Sequence, residues 1–101
     1  MRFIWESPSL DEAVPLTAEG FRRPVTDALV EDVRAHLAAS EHALCVRDDG
    51  RLVCYMLFTV PADGILYIAG TLITEPMQGH GIKTAGTVLA FERFHALRWL
   101  A

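Results

Sequence analysis

Apolar residues recur along this chain first at helical spacing and then, beyond about residue 42, at strand spacing. Arg2–Trp5 is a short candidate strand. Ser9-Leu10-Asp11-Glu12 has the form of a capping box, with a glutamate three residues after the serine. It predicts a helical segment over about 9–20, irregular because Pro15 brings no backbone N–H, with Gly20 as the stop. A more regular helix is predicted from about Thr26 to Ala39. Thr26 is its N-cap, Leu29, Val30, Val33 and Leu37 form one apolar stripe, and Glu31, Asp32 and Arg34 face away.

From His42 the pattern is that of an antiparallel meander. His42–Arg47 is rich in β-forming residues, and Asp48-Asp49-Gly50 signals a hairpin, because a type I′ turn needs positive φ at both central positions. Arg51–Val60 is apolar on both faces, as a central strand is. Pro61-Ala62-Asp63-Gly64 is a second turn, and Ile65–Thr74 a third strand, interrupted by Gly70 where a bulge or a close backbone approach is expected. A last helix is predicted from about Gly81 to the end. Ile82, Ala85, Leu89, Phe94 and Leu97 can face a sheet. Val88, Phe91, Trp99 and Leu100 widen the apolar arc beyond one face. The order of elements is that of an α+β domain.

The length of 101 residues suits one small domain, yet 51% of the residues are apolar. A domain of this size buries about two-thirds of its unfolded surface. Either strands are buried on both faces, or an apolar surface is left for a partner. The net charge of −4 argues against nucleic acid. Residues 1–50 carry net −5, which can favour a cationic substrate or simply solvate the surface. Met1–Glu6 lacks the apolar stretch of a signal peptide, and the apolar run near Leu52–Val60 is too short to span a bilayer, so a cytoplasmic protein is expected. A two-residue turn at Asp49-Gly50 would place Cys45 opposite Cys54. Their spacing fits no zinc pattern, His42, His80 and His95 form no cluster, and no metal is expected. Cytosolic thiols stay reduced.

The candidate chemistry lies at Gln78-Gly79-His80-Gly81, between a strand and a helix. The first N–H groups of a helix have no partner within it, and glycines let an anion approach them closely. The stretch is neither a P-loop nor a dinucleotide fingerprint, since Gly-Lys-Ser/Thr is missing and residue 84 is threonine. On its residues alone, an ordinary glycine turn before a helix remains open.

The loop together with the order of elements resembles the N-terminal two-thirds of the GNAT acetyltransferases. Gln78 and Gly81 match the first and fourth positions of that family's signature, Gln/Arg-x-x-Gly-x-Gly/Ala, and the additional Gly79 is common there. The resemblance implies a truncated GNAT-like mixed sheet in a single domain over 1–101, without the family's C-terminal strands and helix. It implies acetyl-CoA or CoA as cosubstrate, with the pyrophosphate on the N–H groups of Gln78, Gly79, His80, Gly81, Ile82 and Lys83. The pantetheine would run along Leu72, Ile73 and Thr74. Lys83 departs from the small residue of the signature. Where many members carry a glutamate base on the fourth strand, Tyr67 falls at or near the place and becomes a substrate-cleft residue without a base's pKa. Glu75 is acidic but sits at the strand exit, and no catalytic base is assigned. The implied function is acyl-CoA-dependent transfer to an amine, or the role of a non-catalytic CoA-binding or protein-interaction module. The implied partners are a small-molecule or protein amine acceptor, with no nucleic acid and no membrane. A homo-oligomer is expected through the fourth strand and the last helix.

Overall fold

The computed structural model describes residues 1–59, 65–94 and 98–99. In chain order these form β1 (Arg2–Trp5), α1 (Leu10–Phe21), α2 (Asp27–Ala39), β2 (His42–Asp48), β3 (Arg51–Thr59) and β4 (Ile65–Ile73). A 3₁₀ turn at Glu75–Met77 leads to α3 (Ile82–Arg93) and β5 (Arg98–Trp99). The sheet runs β1-β2-β3-β4-β5; the first four strands are antiparallel neighbours, and β5 lies parallel to the start of β4. Side chains alternate across strands, so the sheet builds two cores. Leu44, Val46, Cys54, Met56 and Phe58 pack with Ile82 and Ala90 of α3. On the other face Cys45, Tyr55 and Leu57 pack with Ala13, Val14, Leu16, Leu29 and Val33 of α1 and α2. Burial on both faces accounts for the apolar run of β3.

The predicted caps form. Ser9 accepts the Glu12 N–H at 3.2 Å and Glu12 returns to the Ser9 N–H at 3.3 Å; Thr26 accepts the Leu29 N–H at 3.2 Å. The helix between Leu10 and Phe21 is continuous. It passes through the exposed Pro15 and through Gly20, and it ends at Arg22, which takes the left-handed conformation at φ 54°. Gly20 therefore does not stop the helix. Its lack of a Cβ instead admits Leu72, whose Cδ1 would lie 2.8 Å from that atom.

Two register shifts decide which side chains meet. At the β2–β3 hairpin Asp49 and Gly50 have φ of 50° and 79°, as the turn requires. A bulge between Val46 and Arg47 then pairs Val46 with Cys54 and Cys45 with Tyr55. Cys45 and Cys54 are therefore not opposite each other, and they sit in different cores as free, buried thiols. The extra residue, Val53, absorbs the offset. In β4 the expected irregularity is present: Leu57 pairs with Gly70 and Phe58 with Ile68, which leaves Ala69 unpaired.

The last helix is shorter than its apolar pattern predicts. It ends at Arg93, and Arg98–Trp99 form a strand pairing with Ile65 and Leu66. Its buried face is Ile82, Gly86 and Ala90, whereas Ala85 is exposed. Gly86 lies against the Met56 sulfur, where a Cβ would collide. Small residues on α3 let it approach the bulky β3 residues closely. Phe94 follows the helix and meets Trp5 edge-on at 5.7 Å. The self-association expected from an apolar last helix thus concerns a helix whose outward apolar residues are Val88 and Phe91, 50% and 44% exposed. Leu97 and Leu100 lie outside the described residues.

Arg47 locks α1 to the sheet. Its Nη2 donates to Glu12 Oε1 at 3.0 Å and its Nε to Glu6 Oε1 at 3.1 Å. Hydrogen bonding from Arg47 pulls the Glu12 carboxyl down to about 2. Burial pushes the Cys45 thiol up to about 12 and Cys54 to about 11, so neither is a thiolate at neutral pH.

Candidate functional site

β4 leaves the sheet at Ile73, and the Thr74 N–H donates back to Val53 O at 2.9 Å. The 3₁₀ turn then brings the chain to Gln78, whose side-chain Nε2 donates to Ile73 O at 3.4 Å. Gly79 and Gly81 both have positive φ, 81° and 75°, and a Cβ on either would meet nothing within 4 Å. Backbone conformation, and not crowding within the chain, demands glycine at these two positions. The space in front of them is open.

Gly81 is the N-cap of α3 and offers no side chain to its helix. The Ala85 N–H bonds to Gly81 O at 2.9 Å, so the N–H groups of Ile82, Lys83 and Thr84 precede the first intrahelical bond. No acidic residue stands in that first turn, where Lys83 adds a positive charge. These groups open into a cleft of about 420 Å³ between the end of α1 and the end of β4. Gly20, Phe21, Thr71, Leu72, Ile73, Gln78, Gly79, Gly81, Ile82, Lys83 and Thr84 line it. An anion entering here meets uncapped backbone donors, the positive end of a helix dipole and an ammonium group.

Of the loop and strand residues singled out from the sequence, Leu72, Ile73, Gln78, Gly79, Gly81, Ile82 and Lys83 come together on this cleft. Thr74 does not. It lines a separate hollow with Val53, Pro76 and Met77. His80 is exposed and is not among the lining residues. Tyr67 pairs with Thr59, before the β4 bulge. Glu75 does not face the cleft as a free acid: its carboxylate meets Arg22 at 3.4 Å, and its N–H donates to Glu19 Oε2 at 2.9 Å. This clip ties the end of α1 to the β4 exit. His42 packs at a tilt of 52° against Phe94, with ring centroids 4.8 Å apart, and His95 lies outside the described residues. Among the described residues no group of histidines, cysteines and acids is placed to hold a metal ion. No helix among them is long and apolar enough to cross a membrane.

A second cleft, also about 420 Å³, opens on the α1–α2 side and shares Phe21 and Leu72 with the first. Leu29, Val33, Leu57, Tyr55 and Thr17 line it, together with Gly70 beside the bulge and with Arg23, Asp32 and His36. Thr17 Oγ1 donates to Ala13 O at 2.8 Å and lies 2.6 Å from the Tyr55 hydroxyl. The Thr17 proton is thus committed, and Tyr55 is the donor of the shorter bond. Burial pushes the Tyr55 phenol up, so it stays protonated. Sequence reading missed this cleft. A threonine four residues after Ala13, on the apolar face of a helix, was the one local signal that could have pointed to a buried hydroxyl.

No protein-family profile matches the sequence, and a search of curated proteins finds no match. Solved structures do match. The chain superposes on an aminoglycoside 6'-N-acetyltransferase complexed with coenzyme A, with a TM-score of 0.77 at 12% identity, over 95% of this chain and 56% of that one. It superposes on ribosomal-protein-alanine N-acetyltransferase from Brucella melitensis, with a TM-score of 0.71 at 20% identity, over 100% and 78%. A GNAT-like decarboxylase in complex with isobutyryl-CoA gives 0.70 at 14% identity, over 91% and 58%. The chain spans little more than half the length of the first and third of these. A mixed sheet between α1–α2 and α3, with β5 beginning parallel to a bulged β4, defines a class of fold. It is the fold of the GNAT acetyltransferases.

Proposed function

We propose that this chain binds acetyl-CoA or CoA in the cleft at Gln78–Lys83 and passes the acyl group to an amine. One observation carries the reading. Two positive-φ glycines leave the start of α3 uncapped inside an open cleft, beside a strand whose pairing with β5 is confined to Ile65 and Leu66 among the described residues. Diphosphate oxygens accept from the first-turn N–H groups, and Lys83 adds its charge. The pantetheine amides bond to the edge of β4 past its bulge, where no described residue pairs with it on that side. The amine nitrogen attacks the thioester carbonyl and forms the C–N bond as the C–S bond breaks. The amine gives up a proton and the CoA thiolate takes one, leaving an amide and free CoA. Backbone donors near the bulge stabilise the oxyanion.

A second reading is CoA binding without turnover. It is favoured by the lining of the first cleft, where Lys83 is the sole titratable side chain among the described residues. GNAT-fold neighbours also include a decarboxylase, so the fold does not decide the reaction. Turnover of acetyl-CoA with an amine panel separates the two.

Calorimetric titration with CoA tests the site itself. Gly81→Asp puts a carboxylate at the helix start, where it either caps the free N–H groups or repels the phosphates, and binding is expected to be lost. Gly81→Ala, which adds backbone strain without charge, is expected to keep measurable affinity. Equal affinity of Gly81→Asp and the parent would remove the phosphate from this loop.

A further inference from the structure

We infer that the second cleft receives the acceptor, and that the acceptor is an amine on a mainly apolar body, not a polycation. The inference rests on the acyl-transfer reading, because Phe21 and Leu72 are the wall between this cleft and the first. A nucleophile held against that wall is adjacent to whatever occupies the neighbouring cleft.

The chemistry of the lining selects the class. Leu29, Val33 and Leu57 are 1–3% exposed and form an apolar floor. Tyr55 is set among them. Because it donates its own proton to Thr17, its oxygen keeps a lone pair free to accept from an N–H. The sole carboxylate among the described lining residues is Asp32, and Arg23 already pairs with it at 3.7 Å. The charged lining is therefore neutral as a pair. A ligand with several ammonium groups would bring uncompensated charges against an apolar floor, which is unfavourable. A single amine with an aliphatic or aromatic body buries its apolar part and meets one buried acceptor. Gly70 contributes room, since a Cβ there would meet nothing within 4 Å.

The experiment titrates the full chain with 2-phenylethylamine, spermidine and kanamycin, each with and without saturating CoA. The apolar monoamine is expected to bind at least tenfold more tightly than either polycation. Two variants sharpen the test. Tyr55→Phe removes the buried acceptor and is expected to weaken 2-phenylethylamine at least fivefold while CoA affinity stays within twofold; equal effects on both ligands would make the hydroxyl merely structural. Arg23→Gln, at the surface, frees Asp32 and is expected to narrow the gap between spermidine and the monoamine. CoA binding combined with a preference for a polycation, or with no amine bound, overturns the cleft assignment and leaves the CoA site standing. Selective monoamine binding by a protein that does not bind CoA supports the cleft and overturns the acyl-transfer reading.

Discussion

Gly20 and Leu72 touch across the seam between α1 and β4, so closely that a Cβ on Gly20 would stand 2.8 Å from Leu72 Cδ1. Leu72 lines both clefts, so the contact joins helix packing to the width of the binding region. In Gly20→Ala, better helix propensity contributes up to about 1 kcal/mol. Against it stands the displacement of a side chain that has open space to move into. Stability is expected to stay within about 1 kcal/mol of the parent, while CoA affinity falls several-fold. Thermal melts alongside calorimetry check the pair. A large loss of stability with unchanged affinity would show that Leu72 cannot yield.

Lys83 is exposed and lines the first cleft, where backbone donors already face the anion. Lys83→Ala is expected to weaken CoA by at most about tenfold, about 1.4 kcal/mol, with a smaller dependence of affinity on salt. A thousandfold loss would mean that the ammonium group, not the backbone, holds the phosphates.

Pro15 stands inside α1 with its ring in solvent and no N–H to give to the carbonyl of Asp11. Proline costs about 3 kcal/mol relative to alanine in a helix interior, and its stiffening of the unfolded chain returns about 0.4–1 kcal/mol. Pro15→Ala is expected to raise stability by about 2 kcal/mol in urea denaturation. A lower midpoint would show that the helix needs the bend.

Glu12 gives the chain a pH dependence of known sign. Its folded carboxyl is drawn down to about 2 by Arg47 from an ordinary value of 4.5. Its stabilisation is present above 4.5 and is lost as the pH falls toward 2. Glu12→Gln is expected to lose about 1 kcal/mol near pH 6, discounted because the side chain is one-third exposed. The gap between parent and variant should shrink as the pH falls below 4.5 and close only below about pH 2. A gap of constant size across that range would assign the effect to the cap geometry and not to the charge.

The features legible in the sequence are those decided within a few residues. Ser9 with Glu12, and Thr26 with Leu29, settle where helices begin because donor and acceptor are neighbours in the chain. Asp49-Gly50 settles a turn because few residue pairs tolerate two positive φ values. Gly79 and Gly81 mark the loop for the same reason, but only the family resemblance in the order of elements made it a candidate phosphate site rather than an ordinary turn.

What the tertiary structure decided is what depends on distant partners. The bulge at Val46 and Arg47 moved Cys54 to the α3 face and left Cys45 on the other, because pairing across the sheet favours burying both faces over keeping an unbroken ladder. Gly20 and Gly86 read as helix stop and helix interior, yet each answers to a strand residue, Leu72 or Met56, far along the chain. The pattern of apolar residues after Phe94 continued a helix on paper, but strand pairing with Ile65 and Leu66 took Arg98 and Trp99 instead. The second cleft has no motif at all: Thr17 and Tyr55, 38 residues apart, become one buried acceptor only when α1 lies on β3. Local chemistry determined where the backbone must turn and which of its groups stay unpaired. Packing between sequence-distant elements determined which side chains share a cavity.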